Sequence, residues 1–289
     1  MGPLLDPERT TVEARTIDRP VALLSVDVET DYGSGLDEAL SQTGRLLDLL
    51  ARLGVPLTAF VEGQFFKRRR SLCRLLLDAG VDVQLHCYDH AEPGDTPASL
   101  RRGALALEDC CGRRAAGYRA HTYRLTHELY ETLLELGFRW DSSLMRGVGQ
   151  GRNRHRVFRE GDYFLLGGRL FEFPVATWRG TPLPLNHAYR LLLKAPAEAG
   201  LWAVSGPGPL VAYNMHMTDL VRCASLARSP SRGLPRLLHR YMWATQGRDT
   251  LAALETLVTR LRGSGYEFLA THALYERLAA ASVTPRCRP

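Results

Sequence analysis

The chain has 289 residues, of which 45% are hydrophobic and 24% charged, and its 37 lysine and arginine residues exceed its 31 aspartate and glutamate residues by six. An apolar fraction of this size excludes a disordered chain, and the 26 glycine and 16 proline residues follow no collagen-like repeat. No apolar run reaches the roughly 18–20 residues that span a bilayer, so no transmembrane segment is expected, although peripheral contact with a membrane stays open.

The excess of basic residues does not identify a partner. Almost all of it is arginine, dispersed along the chain, and no nucleic-acid-binding motif accompanies it, so no nucleic acid partner is expected. The first 20 residues lack the apolar core of a secretory signal, and the six cysteines show no C-x-x-C spacing. We therefore expect reduced thiols in a cytoplasmic protein, and the sequence leaves the oligomeric state open.

Short apolar strands alternate with amphipathic helices from residue 21 onward. The predicted strands are Val21–Val28, Pro56–Val61, Val81–Leu85, Ala116–Arg119, Phe138–Asp141, Phe171–Val175, Leu210–Met215 and Phe268–Ala270. The predicted helices are Asp37–Leu53, Ser71–Leu77, Ala98–Cys110, Thr126–Leu136, Asp249–Arg262 and His272–Ala281. Residues 145–170 are rich in arginine and glycine and predict a long loop with room for a hairpin.

This alternation predicts an α/β fold with a mostly parallel sheet. About seven β/α repeats without a linker favour one distorted (β/α)7-type barrel over two domains. Residues 1–20 are expected to form a polar lead-in, residues 21–281 the barrel and residues 282–289 a tail. In β/α barrels the reactive groups lie at the C-terminal ends of the strands, which directs attention to the residues that follow each strand.

Two histidines follow the third predicted strand in the segment HCYDH. If the chain turns after the strand, His86 and His90 present both imidazoles to one metal ion. This spacing arises easily by chance, so its position directly after a strand is what supports a metal site.

Two acids close the first predicted strand in the segment SVDVET. A carboxylate at the end of a buried strand is costly unless it has a partner or a task. Asp27 and Glu29 point to the same face of a flat strand, so one acid can complete a two-histidine, one-carboxylate metal site while the other serves as general base. A buried ion pair at Asp27 and a helix cap by Asp31 or Ser34 are the structural alternatives.

Five motifs occur in order along the chain: SVDVETD, HCYDH, GYRAHTY, FRWDSSL and VAYNMHMTD. Together they resemble the motifs of the NodB-type polysaccharide deacetylases, carbohydrate esterase family 4. Within that family, the forms DVET and HCYDH are most similar to the deformylase of undecaprenyl-phosphate-linked 4-formamido-arabinose and to deacetylases with a DVED-type first motif. The third motif is matched only by its arginine.

The resemblance implies a distorted barrel of the NodB kind and a metal-dependent hydrolase that cleaves a linear amide bond, removing an acetyl or formyl group from an amino sugar. It implies one divalent ion, with zinc ahead of manganese, cobalt, nickel and iron, held by Glu29, His86 and His90. Asp27 is then the general base, although the roles of Asp27 and Glu29 could be exchanged.

The resemblance also implies the remaining catalytic roles. Arg119 would orient Asp27, and His216 would protonate the leaving amine. Asp141, or else Asp219, would hold the second ring nitrogen of His216 and raise its pKa.

Three residues are candidates for substrate binding: His121, Tyr88 and Trp178. His121 stands where the family has proline. Trp178, with Trp140 and Trp202, could offer a stacking surface for a sugar, although large aromatic residues more often lie in the core.

The expected substrate is a biosynthetic intermediate: a small-molecule or lipid-linked amino sugar, or a glycosylated natural product. Residues 145–210 are atypical of the family and are expected to select it. The alternative is a non-catalytic carbohydrate-binding relative with the same fold.

Overall fold

The computed structural model describes residue 5 and residues 10–31, 37–90, 92, 94–146, 161–220 and 250–283. The strands are β1 (Val12–Arg15), β2 (Val21–Val28), β3 (Thr58–Val61), β4 (Asp82–Leu85), β5 (Gly117–Tyr118), β6 (Trp140–Asp141), β7 (Tyr163–Leu166), β8 (Leu170–Glu172), β9 (Leu210–His216) and β10 (Glu267–Leu269). The α-helices are α1 (Thr43–Leu53), α2 (Phe65–Arg68), α3 (Arg70–Asp78), α4 (Pro97–Cys111), α5 (His127–Glu135), α6 (His187–Val204), α7 (Met217–Leu220), α8 (Thr250–Gly263) and α9 (Thr271–Val283).

The described strands join one curled sheet in the order β1-β7-β8-β6-β5-β4-β3-β2-β10, and β9 pairs with the other edge of β2. The pairs β2–β3, β3–β4, β4–β5, β5–β6, β6–β8 and β2–β9 are all parallel. Val175, which follows β8, forms parallel bridges to Met145 and to Ala212 of β9, so the two ends of this parallel sheet meet. The predicted distorted α/β barrel is therefore confirmed.

Successive residues of each parallel strand point alternately into the barrel and out toward the helices. In β2, Leu24 and Val26 pack in the large core beneath the helices, whereas Val21 and Leu23 belong to a separate apolar cluster inside the barrel. Further along the same inward face come Ser25 and Asp27, both buried. The barrel interior thus has an apolar floor and a polar upper end.

The inward-facing residues of β9 also change from apolar to polar along the strand, and β3 and β6 add further apolar residues to the floor. Leu210 and Ala212 belong to the apolar floor, and the next inward positions are Asn214 and His216. Phe60 and Trp140 fill the floor from β3 and β6, with their rings edge to face at 5.8 Å. Since parallel strands end at one edge of the sheet, their polar ends converge.

Several described elements were not predicted: the short helices α2 and α7, the strand β1 and the helix α6. Strand β1 lies within the expected lead-in and pairs antiparallel with β7, beyond the barrel proper. Helix α6 lies within residues 145–210, where Pro196 interrupts the helical pattern, and the Asn186 side chain caps it by accepting from the Tyr189 N–H. The hairpin of β7 and β8 occupies the end of the predicted loop, whose residues 147–160 lie outside the described part.

None of the helices in the described ranges is both long enough and apolar enough to cross a bilayer.

Gly117 tests the packing of the barrel floor. A Cβ atom on Gly117 would lie 2.1 Å from the Trp140 ring, so Gly117→Ala forces the ring or the strand to move. We expect a loss of about 1–3 kcal/mol in the free energy of unfolding, measured by chemical denaturation. Gly44→Ala in α1 is the control, because its Cβ would meet no atom within 4 Å, and it should gain about 0.5–1 kcal/mol. Equal effects of the two substitutions would contradict this account of the floor.

Candidate metal centre and catalytic groups

Three side chains from two strand ends meet at the upper end of the barrel. Glu29 follows β2, and His86 and His90 lie in the turn after β4. The Glu29 Oε2 atom lies 3.1 Å from His86 Nε2 and 2.6 Å from His90 Nε2, and the two ring nitrogens are 3.3 Å apart. The segment after β4 is a bend rather than the helical turn that the spacing suggested, yet both imidazoles reach Glu29.

These three side chains fit a divalent metal ion. The Nδ1 atom of His86 lies 2.7 Å from the Arg119 carbonyl oxygen and must donate to it, so in the neutral ring Nε2 presents a lone pair toward Glu29. Donor atoms around one tetrahedral ion with bonds of about 2.0–2.1 Å lie about 3.3–3.4 Å apart. The distances from His86 Nε2 to Glu29 Oε2 and to His90 Nε2, 3.1 Å and 3.3 Å, are close to this separation. Two imidazoles and a carboxylate are donors that first-row divalent ions accept.

The acids make this pocket a favourable place for positive charge. Burial alone would lower the pKa of His86, but its hydrogen bond with Glu29 and the negative charges of Asp27 and Glu29 raise the pKa to about 9. Burial likewise opposes ionisation of Glu29, yet the charges of His90 and His216 hold the pKa of Glu29 well below its usual range.

Asp27 lies beside the three donors and is held by a buried network. Arg119 Nη1 donates to Asp27 Oδ1 at 2.7 Å, to the Asn214 side-chain oxygen at 2.7 Å and to Ser25 Oγ at 3.0 Å. The Asn214 amide nitrogen donates to the other Asp27 oxygen at 3.1 Å. Both carboxylate oxygens of Asp27 therefore have fixed partners, as an oriented base requires.

His216 faces both acids from β9. Its Nε2 atom lies 3.6 Å from Asp27 Oδ2 and 3.9 Å from Glu29 Oε1. Its Nδ1 atom lies 3.2 Å from Asp219 Oδ2, which also accepts the His216 backbone N–H at 2.8 Å. Although burial opposes the charge, Glu29, Asp219 and Asp27 raise the pKa of His216 to about 10, so the ring is protonated near neutral pH.

Asp141 does not contact His216, and this part of the expectation is corrected by the structure. Trp140 fills the inner floor, so Asp141, the next residue on β6, points outward. Its carboxylate accepts from Ser143 Oγ at 2.7 Å and pairs with Glu172 of β8. Burial and the charge of Asp141 raise the pKa of Glu172 well above its usual range, so this pair holds a proton.

The candidates for substrate binding have different surroundings. Trp178 is 0% exposed and packs edge to face on Trp202, so it cannot stack on a sugar, and the expectation for it is wrong. The His121 ring lies against that of His90, one of the three candidate metal donors, with centroids 3.9 Å apart. The half-buried Tyr88 ring packs against Gly63, and the Arg102 guanidinium group lies 4.2 Å above it.

Ser25 and Asn214 are among the polar residues at the site that were not singled out from the sequence. Each lies two positions before a residue that was singled out, Asp27 or His216, and therefore on the same inward face. Period-two spacing was the signal that could have found them.

Residues 18–139 match the family model described as polysaccharide deacetylase. This stretch, less than half of the chain, is similar to that family. The matched stretch includes the first three motifs, through Arg119, and ends before His216. A curated relative, the peptidoglycan deacetylase-like protein FGM2 of Gibberella zeae, is 30% identical over 122 residues, which cover 40% of this chain and 36% of that protein. The chain thus spans little more than a third of the length of that relative.

Solved structures with a similar fold align with most or all of the chain. One from Mycobacterium smegmatis, described as a polysaccharide deacetylase, has 21% identity and a TM-score of 0.51, covering 100% of this chain and 98% of its own. A carbohydrate esterase family 4 pseudoenzyme from Bacillus anthracis has 14% identity and a TM-score of 0.53, covering 89% of this chain and 66% of its own. Because this fold occurs in a protein described as a pseudoenzyme, activity must be argued from the site.

Glu172→Gln tests the proton held by Glu172 and Asp141. Because folding raises the pKa of Glu172, the folded state keeps a proton that the unfolded chain releases, and the stability from this pair is lost as the pH rises through that window. Glutamine has no proton to lose. We therefore expect the variant to gain stability over the wild type above about pH 5, by up to about 1.4 kcal/mol per pH unit within the window.

Chemical denaturation at several pH values measures this difference. Glu131→Gln, on the exposed side of α5, is the control and should show no such trend. A Glu172→Gln effect that does not change with pH would contradict the shared proton.

Proposed function

We propose that the chain is a metal-dependent hydrolase that removes an acetyl or formyl group from the nitrogen of an amino sugar. One observation carries the proposal: Glu29, His86 and His90 converge on one point, and both Asp27 and His216 lie beside them. A metal ligand set, a base and an acid are the groups that metal-assisted amide hydrolysis needs.

Glu29, His86 and His90 would hold the ion. When bound, such an ion activates a water molecule and polarises the carbonyl group of an amide. Zinc suits this donor set, and manganese, cobalt, nickel and iron are alternatives.

Asp27 would take the proton of the attacking water. The Arg119 ion pair fixes one carboxylate oxygen of Asp27, while the Asn214 amide fixes the orientation of the other. The Arg119 carbonyl also accepts from His86. Arg119 therefore fixes the position of the base Asp27 relative to the proposed metal ligand His86.

His216 would donate a proton to the leaving amine. Its Nε2 atom faces Asp27 and Glu29, while Asp219 fixes Nδ1 and stabilises the charged ring. A carboxylate base and a protonated histidine are the two proton-transfer groups that amide hydrolysis needs.

The proposed substrate class rests on the similarity to polysaccharide deacetylases rather than on the geometry of the site. The curated relative is described as peptidoglycan deacetylase-like, and we propose an N-acylated amino sugar, carried by a small molecule, a lipid or a glycosylated natural product, as a biosynthetic intermediate. His121, beside His90, is the residue that we propose to contact it.

Metal analysis combined with product release tests the function. The purified chain is assayed for bound divalent ions and for release of acetate or formate from N-acyl amino sugars in free, nucleotide-linked and lipid-linked form. We expect about one ion per chain and hydrolysis that a chelator abolishes and added metal restores. A folded chain that binds sugar but neither binds metal nor releases acid would instead support the non-catalytic alternative.

Paired variants separate the base from the metal ligands. Asp27→Asn should reduce turnover by about 10²–10⁴-fold and leave the metal bound, because asparagine cannot accept the proton. His86→Ala should lose both turnover and metal, because it removes one of the ligands. His127→Ala, at a partly exposed histidine of α5, should change neither. If Asp27→Asn lost the metal while Glu29→Gln retained it, the roles of the two acids would be exchanged.

A further inference from the structure

Glu62 is a fully buried acid that the proposed chemistry does not use. It follows β3, and β3 lies between β2 and β4, the two strands whose ends carry Glu29 and His86. Phe60, two residues earlier, belongs to the inner floor of the barrel, so Glu62 continues the inward face.

Each carboxylate oxygen of Glu62 accepts a backbone N–H from a different loop. Oε2 accepts the Thr30 N–H at 2.8 Å, and Thr30 is the residue after Glu29. Oε1 accepts the N–H of His90 at 2.7 Å. The carboxylate thereby spans the two loops that carry the metal donors.

The backbone around Glu62 reinforces this connection. The Glu62 N–H donates to Val28 at the end of β2 at 3.0 Å, and the Gly63 N–H donates to Cys87 at 2.8 Å. Gln64 donates from its side chain to Glu62 Oε1, which limits rotation of the carboxylate. The group is therefore held in one orientation between the loops.

We propose that Glu62 is a positioning residue that sets the distance between Glu29 and His90 and thereby the metal affinity of the site. The inference rests on the proposed function, since it takes these residues as metal ligands. Groups that orient metal ligands typically change metal affinity by about 10–100-fold when they are removed. An amide in place of the carboxylate has only one accepting oxygen, so it can accept from one loop and turns an N–H₂ group toward the N–H of the other.

Glu62→Gln tests this inference through metal binding, apart from activity. We expect zinc and cobalt to bind about 10–100-fold more weakly than to the wild type in competition with a chromogenic chelator. We also expect a changed visible spectrum of the cobalt-loaded protein, because the donor geometry is altered. Glu92→Gln is the matched control: the same substitution two residues after His90, where the carboxylate pairs with Arg102 of α4. Its affinity should equal that of the wild type.

The outcomes separate this inference from the function on which it rests. A wild-type chain that binds neither ion overturns both. If the wild type binds metal and Glu62→Gln binds it with equal affinity, the positioning role alone is overturned. This holds even if the variant has a lower free energy of unfolding in excess chelator, because a loss of stability without metal would show that Glu62 only stabilises the fold. If Glu62→Gln does not fold, Glu62→Asp keeps both oxygens but shortens their reach, and unchanged affinity there also overturns the role.

Discussion

The buried guanidinium group of Arg119 connects the parts of the candidate site. Its Nη1 atom donates to Asp27, Asn214 and Ser25, and its Nε and Nη2 atoms donate to the carbonyl and hydroxyl oxygens of Ser142 after β6. The same residue offers its carbonyl oxygen to His86, and its planar side chain lies 3.9 Å above the Phe60 ring on the apolar floor. A cation taken out of water needs this number of acceptors, so the polar network above the floor is arranged around it.

The alternation of side chains along parallel strands explains where these acceptors come from. Every second residue of β2 and β9 faces the interior, and on both strands the inward residues change from aliphatic to polar toward the C-terminal end. The outward residues stay apolar beneath the helices, which keeps the strands buried on both sides. The charged residues at the upper end of the barrel therefore replace neither the apolar core beneath the helices nor the apolar floor inside the barrel.

Much of this arrangement follows from the sequence, because strand ends and period-two spacing are local properties. The alternating elements indicated the barrel, and Asp27, Glu29, His86 and His90 lie together as their positions implied. The environment of Asp141 could not be read in the same way. The face of β6 on which Asp141 lies is the one opposite to Trp140, which fills the barrel floor. The nearness of Glu172 depends on the pairing of β6 with β8 across 30 residues of chain. Burial of Trp178 likewise depends on α6, which the proline in its sequence concealed.

The closure of the barrel at Val175 has a consequence for its motions. β9 is joined to β2 by a continuous register from Val21 to Asp27, but within the described residues it is joined to the opposite side by one bridge, at Ala212. Local opening should therefore begin at this seam, and its amide protons should exchange with solvent sooner than those of β2. Asp27 and His216 lie on β2 and β9, which share seven register pairs, so the barrel can open at the seam while the distance between these two charged groups is preserved.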